Sequence, residues 1–73
     1  MSIRVGIIGL GRSGWELHLE PLSRIDGYRV LRACDQSQRR LDAARERFGI
    51  ETSVEIDGLL DDPELDLVVV AVP

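Results

Sequence analysis

Three glycines and one carboxylate are the residues whose types and spacing could do chemistry. Gly9-Leu10-Gly11-Arg12-Ser13-Gly14 is a G-x-G-x-x-G run, and Asp35 follows 21 residues after its last glycine. Each glycine has a physical task. Gly9 permits a tight turn, Gly11 lets a diphosphate approach the backbone without meeting a Cβ, and Gly14 permits a helix to pack closely on a strand. The amides of Arg12, Ser13 and Gly14 would be left unpaired at a helix N-terminus, whose dipole favours an anion by about 0.3–1 kcal/mol. A carboxylate in the place of Asp35 can accept the hydroxyls of an adenosine ribose and repels a 2′-phosphate, so NAD is expected over NADP. Arg39 and Arg40 pull the other way. A base just past the acid, Arg40 in particular, can meet a 2′-phosphate, although the first turn of a helix also keeps such side chains solvated. A purely structural reading exists for the same residues: a glycine-rich turn without a ligand, and an Asp35 that only opens the turn toward Ser37.

For the loop and the acid to meet, strands must hold both. Residues 3–8 are a β-branched run with glycines on their C-terminal side, which fits a buried strand. After Gly14, Trp15, Leu19, Leu22 and Ile25 or His18 recur at spacings of three and four, as a helix lying on a sheet requires. Pro21 interrupts this pattern and should kink or shorten the helix. Asp26-Gly27 marks a turn, and Tyr28 to Cys34 reads as a second strand with either Val30 and Ala33 or Leu31 and Cys34 pointing inward. Ser37 can cap a helix over Gln38 to Phe48 that places Leu41, Ala44 and Phe48 on one face and ends at Gly49. Residues 50–53 suggest a short third strand, 55–60 a short helix, and Asp62-Pro63 a turn. The run Leu67-Val68-Val69-Val70-Ala71-Val72 lacks polar alternation, as in a parallel strand covered on both faces. The alternation of strands and helices predicts an α/β fold: a partial Rossmann domain with a parallel sheet of order 3-2-1-4 over residues 1–73. The outer edge of the last strand would then be unpaired, which invites self-association.

Composition narrows the function classes. The chain has 73 residues, 44% of them hydrophobic and 30% charged, ordinary values for one small globular unit. No apolar run approaches the roughly 20 residues needed to span a bilayer, and the N-terminus lacks a signal-peptide pattern, so a cytoplasmic protein is expected. Residues 1–49 hold nine Arg against six acids, whereas residues 50–73 hold seven acids and no base. Net acidity and single copies of Trp, Tyr and Phe disfavour nucleic acid. The lone Cys34 offers neither a disulfide nor a metal cluster. His18, a turn into the first helix, reads as a packing residue rather than a catalytic one.

Taken together, Gly9 to Gly14 with His18 and Leu22 downstream, Asp35, and the ending Leu59-Leu60-Asp61-Asp62-Pro63-Glu64-Leu65-Asp66-Leu67-Val68-Val69-Val70-Ala71-Val72-Pro73 resemble the N-terminal segment of the Gfo/Idh/MocA oxidoreductases. The acidic, proline-containing turn into a valine strand closing on Ala-Val-Pro is the most specific part. The resemblance implies enzymes that oxidise or reduce a sugar, cyclitol or similar hydroxy or carbonyl compound with NAD or NADP, and that carry a second domain for substrate. It also implies that Ala71, Val72 and Pro73 line the way toward the nicotinamide half. The family's usual Glu-Lys-Pro lysine and downstream histidine are expected beyond Pro73, and the chain itself contains no Lys. Catalytic and metal-binding residues are therefore not assigned, and the isolated chain is expected to be inactive. Two rival readings stand beside this one. They are a regulatory module that senses nucleotides without chemistry, as in potassium-transport regulators, and a fragment that binds nothing.

Overall fold

A computed structural model describes residues 2–72. Strand β1 (Ile3–Ile8) leads through the glycine loop into helix α1, which is π-helical over Ser13–Leu19 and α-helical over Glu20–Leu22. Strand β2 (Tyr28–Cys34), helix α2 (Gln38–Phe48), strand β3 (Glu51–Ser53), the short helix α3 (Asp57–Leu60) and strand β4 (Leu67–Val70) follow. All strand pairs are parallel and the sheet order is β3-β2-β1-β4. The Rossmann-type half sheet expected from the alternation of elements is what forms. Among the described residues, no helix is long and apolar enough to cross a membrane.

A register shift decides how β2 faces the core. Val5 pairs with Val30, but the next residue, Gly6, pairs with Arg32, so Leu31 is an extra residue in β2. The bulge puts Val30 and Ala33, three apart, on the same side of the sheet. Both join Val5, Ile7, Leu10, Leu19, Leu41, Ala44 and Ile50 in the main buried cluster. Cys34 falls on the opposite face, with Ile8 and Leu59. A period of two cannot give that split, which is why the sequence left both inward pairings standing.

Helix α2 follows its local signals. The Ser37 hydroxyl accepts from the Arg40 amide at 3.4 Å, Leu41 and Ala44 are buried, and Gly49 ends the helix in the left-handed region at φ 68°. Helix α1 is cut short just past Pro21, as expected. It stops at Leu22, and the departure is Ile25, which is 49% exposed instead of joining the core. Pro21 brings no amide to the ladder, the Ser23 hydroxyl donates to the Leu19 carbonyl at 2.7 Å, and the Arg24 and Ile25 amides both donate back to the Pro21 carbonyl.

The last third is thinly covered. β4 ends at Val70, two residues short of the apolar run, and its outer edge is unpaired among the described residues. Leu67 and Val70 are exposed, and neither middle valine is fully buried, so the strand is not sheathed on both faces as its composition suggested. Charged pairs tie this part down instead. Arg4 grips Asp66 through its backbone amide and its side chain, and Arg32 reaches from β2 to Asp62 and Glu51. The Glu64 amide, followed by the Arg32 guanidinium, holds the Asp62 carboxyl below the usual carboxylate range. Arg4 does the same to Asp66.

Candidate cofactor-binding site

The glycine loop and Asp35 sit together at the C-terminal ends of β1 and β2. The Gly9 amide donates to the Cys34 carbonyl at 2.8 Å, which closes the end of β1 on the end of β2. One residue further, the Leu10 amide donates to Asp35 Oδ2 at 2.7 Å, and the Ser37 amide donates to Oδ1 at 2.7 Å. The carboxylate thus bridges the loop and the start of α2. Its side chain is 10% exposed, and two backbone donors occupy only part of the capacity of its two oxygens, so room is left for ligand hydroxyls.

The three glycines differ in what surrounds them. Gly9 has φ 98°, a conformation that L side chains rarely adopt, and a Cβ there would lie 2.8 Å from the Ala71 carbonyl oxygen. A Cβ on Gly14 would lie 1.8 Å from the Gly9 carbonyl oxygen, so the start of α1 rests directly on the end of β1. At Gly11 the nearest atom to an added Cβ is Arg40 Nη1 at 3.9 Å. That last position is a cradle that a methyl group would fill without meeting protein. The Trp15 amide, donating to Gly11 O at 2.9 Å, closes the first turn. Among the described residues, the amides of Arg12, Ser13 and Gly14 have no backbone acceptor. Unpaired donors at a helix start over free volume, beside a carboxylate, match the needs of a diphosphate joined to a ribose.

The remaining candidates take different places. Arg40 Nη1 lies 3.9 Å from Asp35 Oδ2, half exposed, on the side of the loop that faces Asp35. Arg12 projects into solvent, 91% exposed, in a weak pair with Glu16 at 3.5 Å. Ala71 donates its amide to Ile8 O at 2.8 Å and so extends the β1–β4 contact to the foot of Gly9. Val72 borders the site, and Pro73 lies outside the described residues. His18 is half-buried on α1.

A hollow of about 220 Å³ adjoins Asp35, walled by Ile8, Gly9, Cys34, Asp35, Gln36, Val54, Ile56 and Val72. Val54 and Ile56 escaped the sequence analysis. They lie between β3 and α3 in a stretch without periodicity, and only the sheet order brings them next to Asp35. Cys34 forms part of this wall, its thiol pushed up chiefly by burial and further by the charges of Asp35 and Glu55. A larger concavity, about 610 Å³, runs beside the start of β2 and the end of α2, and none of the loop residues lines it. The chemistry of the donors, not volume, selects the smaller hollow.

A family model described as an oxidoreductase family with an NAD-binding Rossmann fold, Gfo/Idh/MocA, matches residues 3–73. The chain belongs to the Gfo/Idh/MocA oxidoreductase family. Myo-inositol 2-dehydrogenase of Thermotoga maritima is 36% identical over 69 residues, covering 93% of this chain and 20% of that protein. Among solved structures, scyllo-inositol dehydrogenase of Lactobacillus casei with NAD(H) and scyllo-inositol superposes with a TM-score of 0.90 at 27% identity, over 100% of this chain and 22% of that one. A 3-ketoreductase from Actinomadura kijaniata, solved with TDP-benzene and NADP, gives a TM-score of 0.87 at 30% identity, over 100% and 23%. The chain spans about a fifth of the length of these relatives. It is an NAD-binding Rossmann segment of the Gfo/Idh/MocA type.

Proposed function

We propose that this chain holds the adenosine-diphosphate half of NAD for an oxidoreductase acting on a cyclitol, sugar or similar small hydroxy or carbonyl compound. The observation that carries the reading is the bond from the Leu10 amide to Asp35 Oδ2 at 2.7 Å, which joins the phosphate-binding loop to the ribose-binding acid. Arg12, Ser13 and Gly14 offer their amides to the diphosphate, and Gly11 keeps the approach free. Asp35 accepts from the ribose hydroxyls while its charge disfavours a 2′-phosphate. Ala71 and Val72 lead toward the nicotinamide half, which when bound supplies the hydride acceptor or donor. The inositol dehydrogenases among the relatives motivate the polyol class of substrate.

Arg40 favours a second reading for the cofactor. Its guanidinium lies 3.9 Å from Asp35, so it partly offsets the carboxylate where a 2′-phosphate would enter, and one relative was solved with NADP. NADP is accordingly a weaker ligand rather than an excluded one.

Calorimetric titration of the chain with NAD and with NADP tests both statements. NAD is expected to bind more tightly, and Asp35→Ala to weaken it by about tenfold to a hundredfold, the scale of lost charged hydrogen bonds. Asp35→Ala should narrow the gap to NADP, and Arg40→Ala should widen it. The absence of saturable NAD binding at millimolar ligand would overturn the reading.

A further inference from the structure

Helix α1 contains a side-chain bond that an α-helix would not allow. Trp15 Nε1 donates to Glu20 Oε1 at 2.9 Å, and the Glu20 amide donates to the Trp15 carbonyl. Two residues five apart are thus bonded twice. In an α-helix, positions five apart point about 140° away from each other around the axis. π-Helical turns, whose hydrogen bonds run from i to i−5, bring the same positions closer together around the axis. The side-chain bond and the backbone bond therefore demand one geometry and support each other.

The surroundings aim the Glu20 carboxylate at the indole. Its side chain is 24% exposed. Oε2 takes Arg24 Nη2 at 3.0 Å, and Oε1 also takes Arg47 Nη1 from α2 at 3.4 Å. Arg47 lies 5.2 Å over the Phe48 ring, and Trp15 meets that ring edge-on with centroids 5.7 Å apart. Each pair alone contributes little, but three donors converge on the one carboxylate.

Trp15 follows Gly14 directly, and its own amide closes the first turn on Gly11. Reverting the π-helical turns to α would shift the register by one residue, a rotation of about 100° around the helix axis. Gly14 is pressed on the Gly9 carbonyl, so that rotation would fall on the segment carrying the amides of Arg12, Ser13 and Gly14.

We infer that the Trp15–Glu20 pair is a positioning device for the phosphate-binding loop, fixing the register of α1 so that those three amides face the free volume over Gly11. Glu20 is a positioning residue that acts through Trp15. The inference rests on the proposed NAD site.

NAD titration of the wild-type chain and four variants, followed by calorimetry and amide NMR, tests it. Trp15→Phe keeps an aromatic edge for Phe48 and removes the indole donor. Glu20→Ala removes the acceptor, Glu20→Gln keeps an acceptor oxygen, and the fourth variant combines Trp15→Phe with Glu20→Ala. Each of the first two should weaken NAD about fivefold, the scale of one net hydrogen bond. The double variant should lose no more than either single one, and Glu20→Gln should bind within about twofold of wild type, as a shared bond requires. Folded Trp15→Phe and Glu20→Ala chains that bind NAD like wild type would overturn the inference. So would losses that add while Glu20→Gln falls as far as Glu20→Ala. If the variants do not fold, the NAD-bound wild type decides: a Trp15 Hα to Glu20 amide contact with an exchange-protected indole N–H supports the pair, and absence of that contact overturns it. A wild-type chain that does not bind NAD removes the functional reading and this inference together, whereas binding with indifferent variants removes only the inference.

Discussion

The two ends of the chain are held together by different forces. From β1 to Ile50, nine buried residues form one cluster beneath α1 and α2, and the glycine loop and Asp35 rest on it. From β3 onward, Leu59 alone is buried among the described residues, and the segment is fastened to the sheet by Arg4 and Arg32 gripping Asp66, Asp62 and Glu51. Close packing tolerates neither a lost nor an added methylene, whereas partly exposed ion pairs respond to pH and salt. The glycine loop stands on the half with the larger buried cluster, where the proposed anion site would be held by close packing.

Several substitutions can break this contrast. The largest effect is expected for Gly14→Ala, because its Cβ would meet the Gly9 carbonyl oxygen at 1.8 Å and neither backbone can yield without parting α1 from β1. That chain should show no cooperative thermal transition by circular dichroism. Next, Leu41→Ala, at a 1% exposed site in the main cluster, should cost about 2–5 kcal/mol in urea unfolding. Leu59→Ala, in the cluster of three, should fall at the low end of that range or below it because its surroundings can collapse. Equal costs at the two sites would erase the distinction between the halves.

Acid should act on the other half. Asp62 and Asp66 have folded pKa values below their ordinary range, so the stability they contribute is complete above the unfolded value of about 3.9 and is lost as pH falls through the lowered folded values. The melting temperature is therefore expected to hold from neutrality down to about pH 5 and to fall below about pH 4. Asp66→Asn should lower it at neutral pH and flatten the acid limb. A smaller effect still separates structure from function: Gly11→Ala should change stability by less than about 0.5 kcal/mol while weakening NAD at least tenfold, because the added methyl fills ligand space and not protein.

Much of this architecture was legible in the residues. The β-branched run before Gly9, the spacing from Gly14 to Asp35 and the Ser37 to Gly49 signals around α2 each have one good structural solution, and the sheet order followed from them. The meeting of loop and acid was legible for the same reason, since parallel strands with a crossover helix leave their C-terminal ends side by side. Other features were hidden. Trp15, Leu19 and Leu22 fit an α-helical stripe as well as the observed helix, and nothing in their spacing reveals that Glu20 bonds back five residues. The bulge at Leu31 leaves no mark in composition, yet it decides which face receives Ala33 and which Cys34. The exposure of β4 depends on its neighbours in the sheet, which an unbroken valine run does not specify.

Amide NMR of the chain during NAD titration tests the central claim most directly. Saturable shifts should centre on Leu10, Arg12, Ser13 and Gly14 and on the Asp35 to Ser37 turn, and should vanish in Asp35→Ala at the same ligand concentration. Shifts confined to the concavity beside Tyr28 and Glu51, with the glycine loop unmoved, would contradict the account.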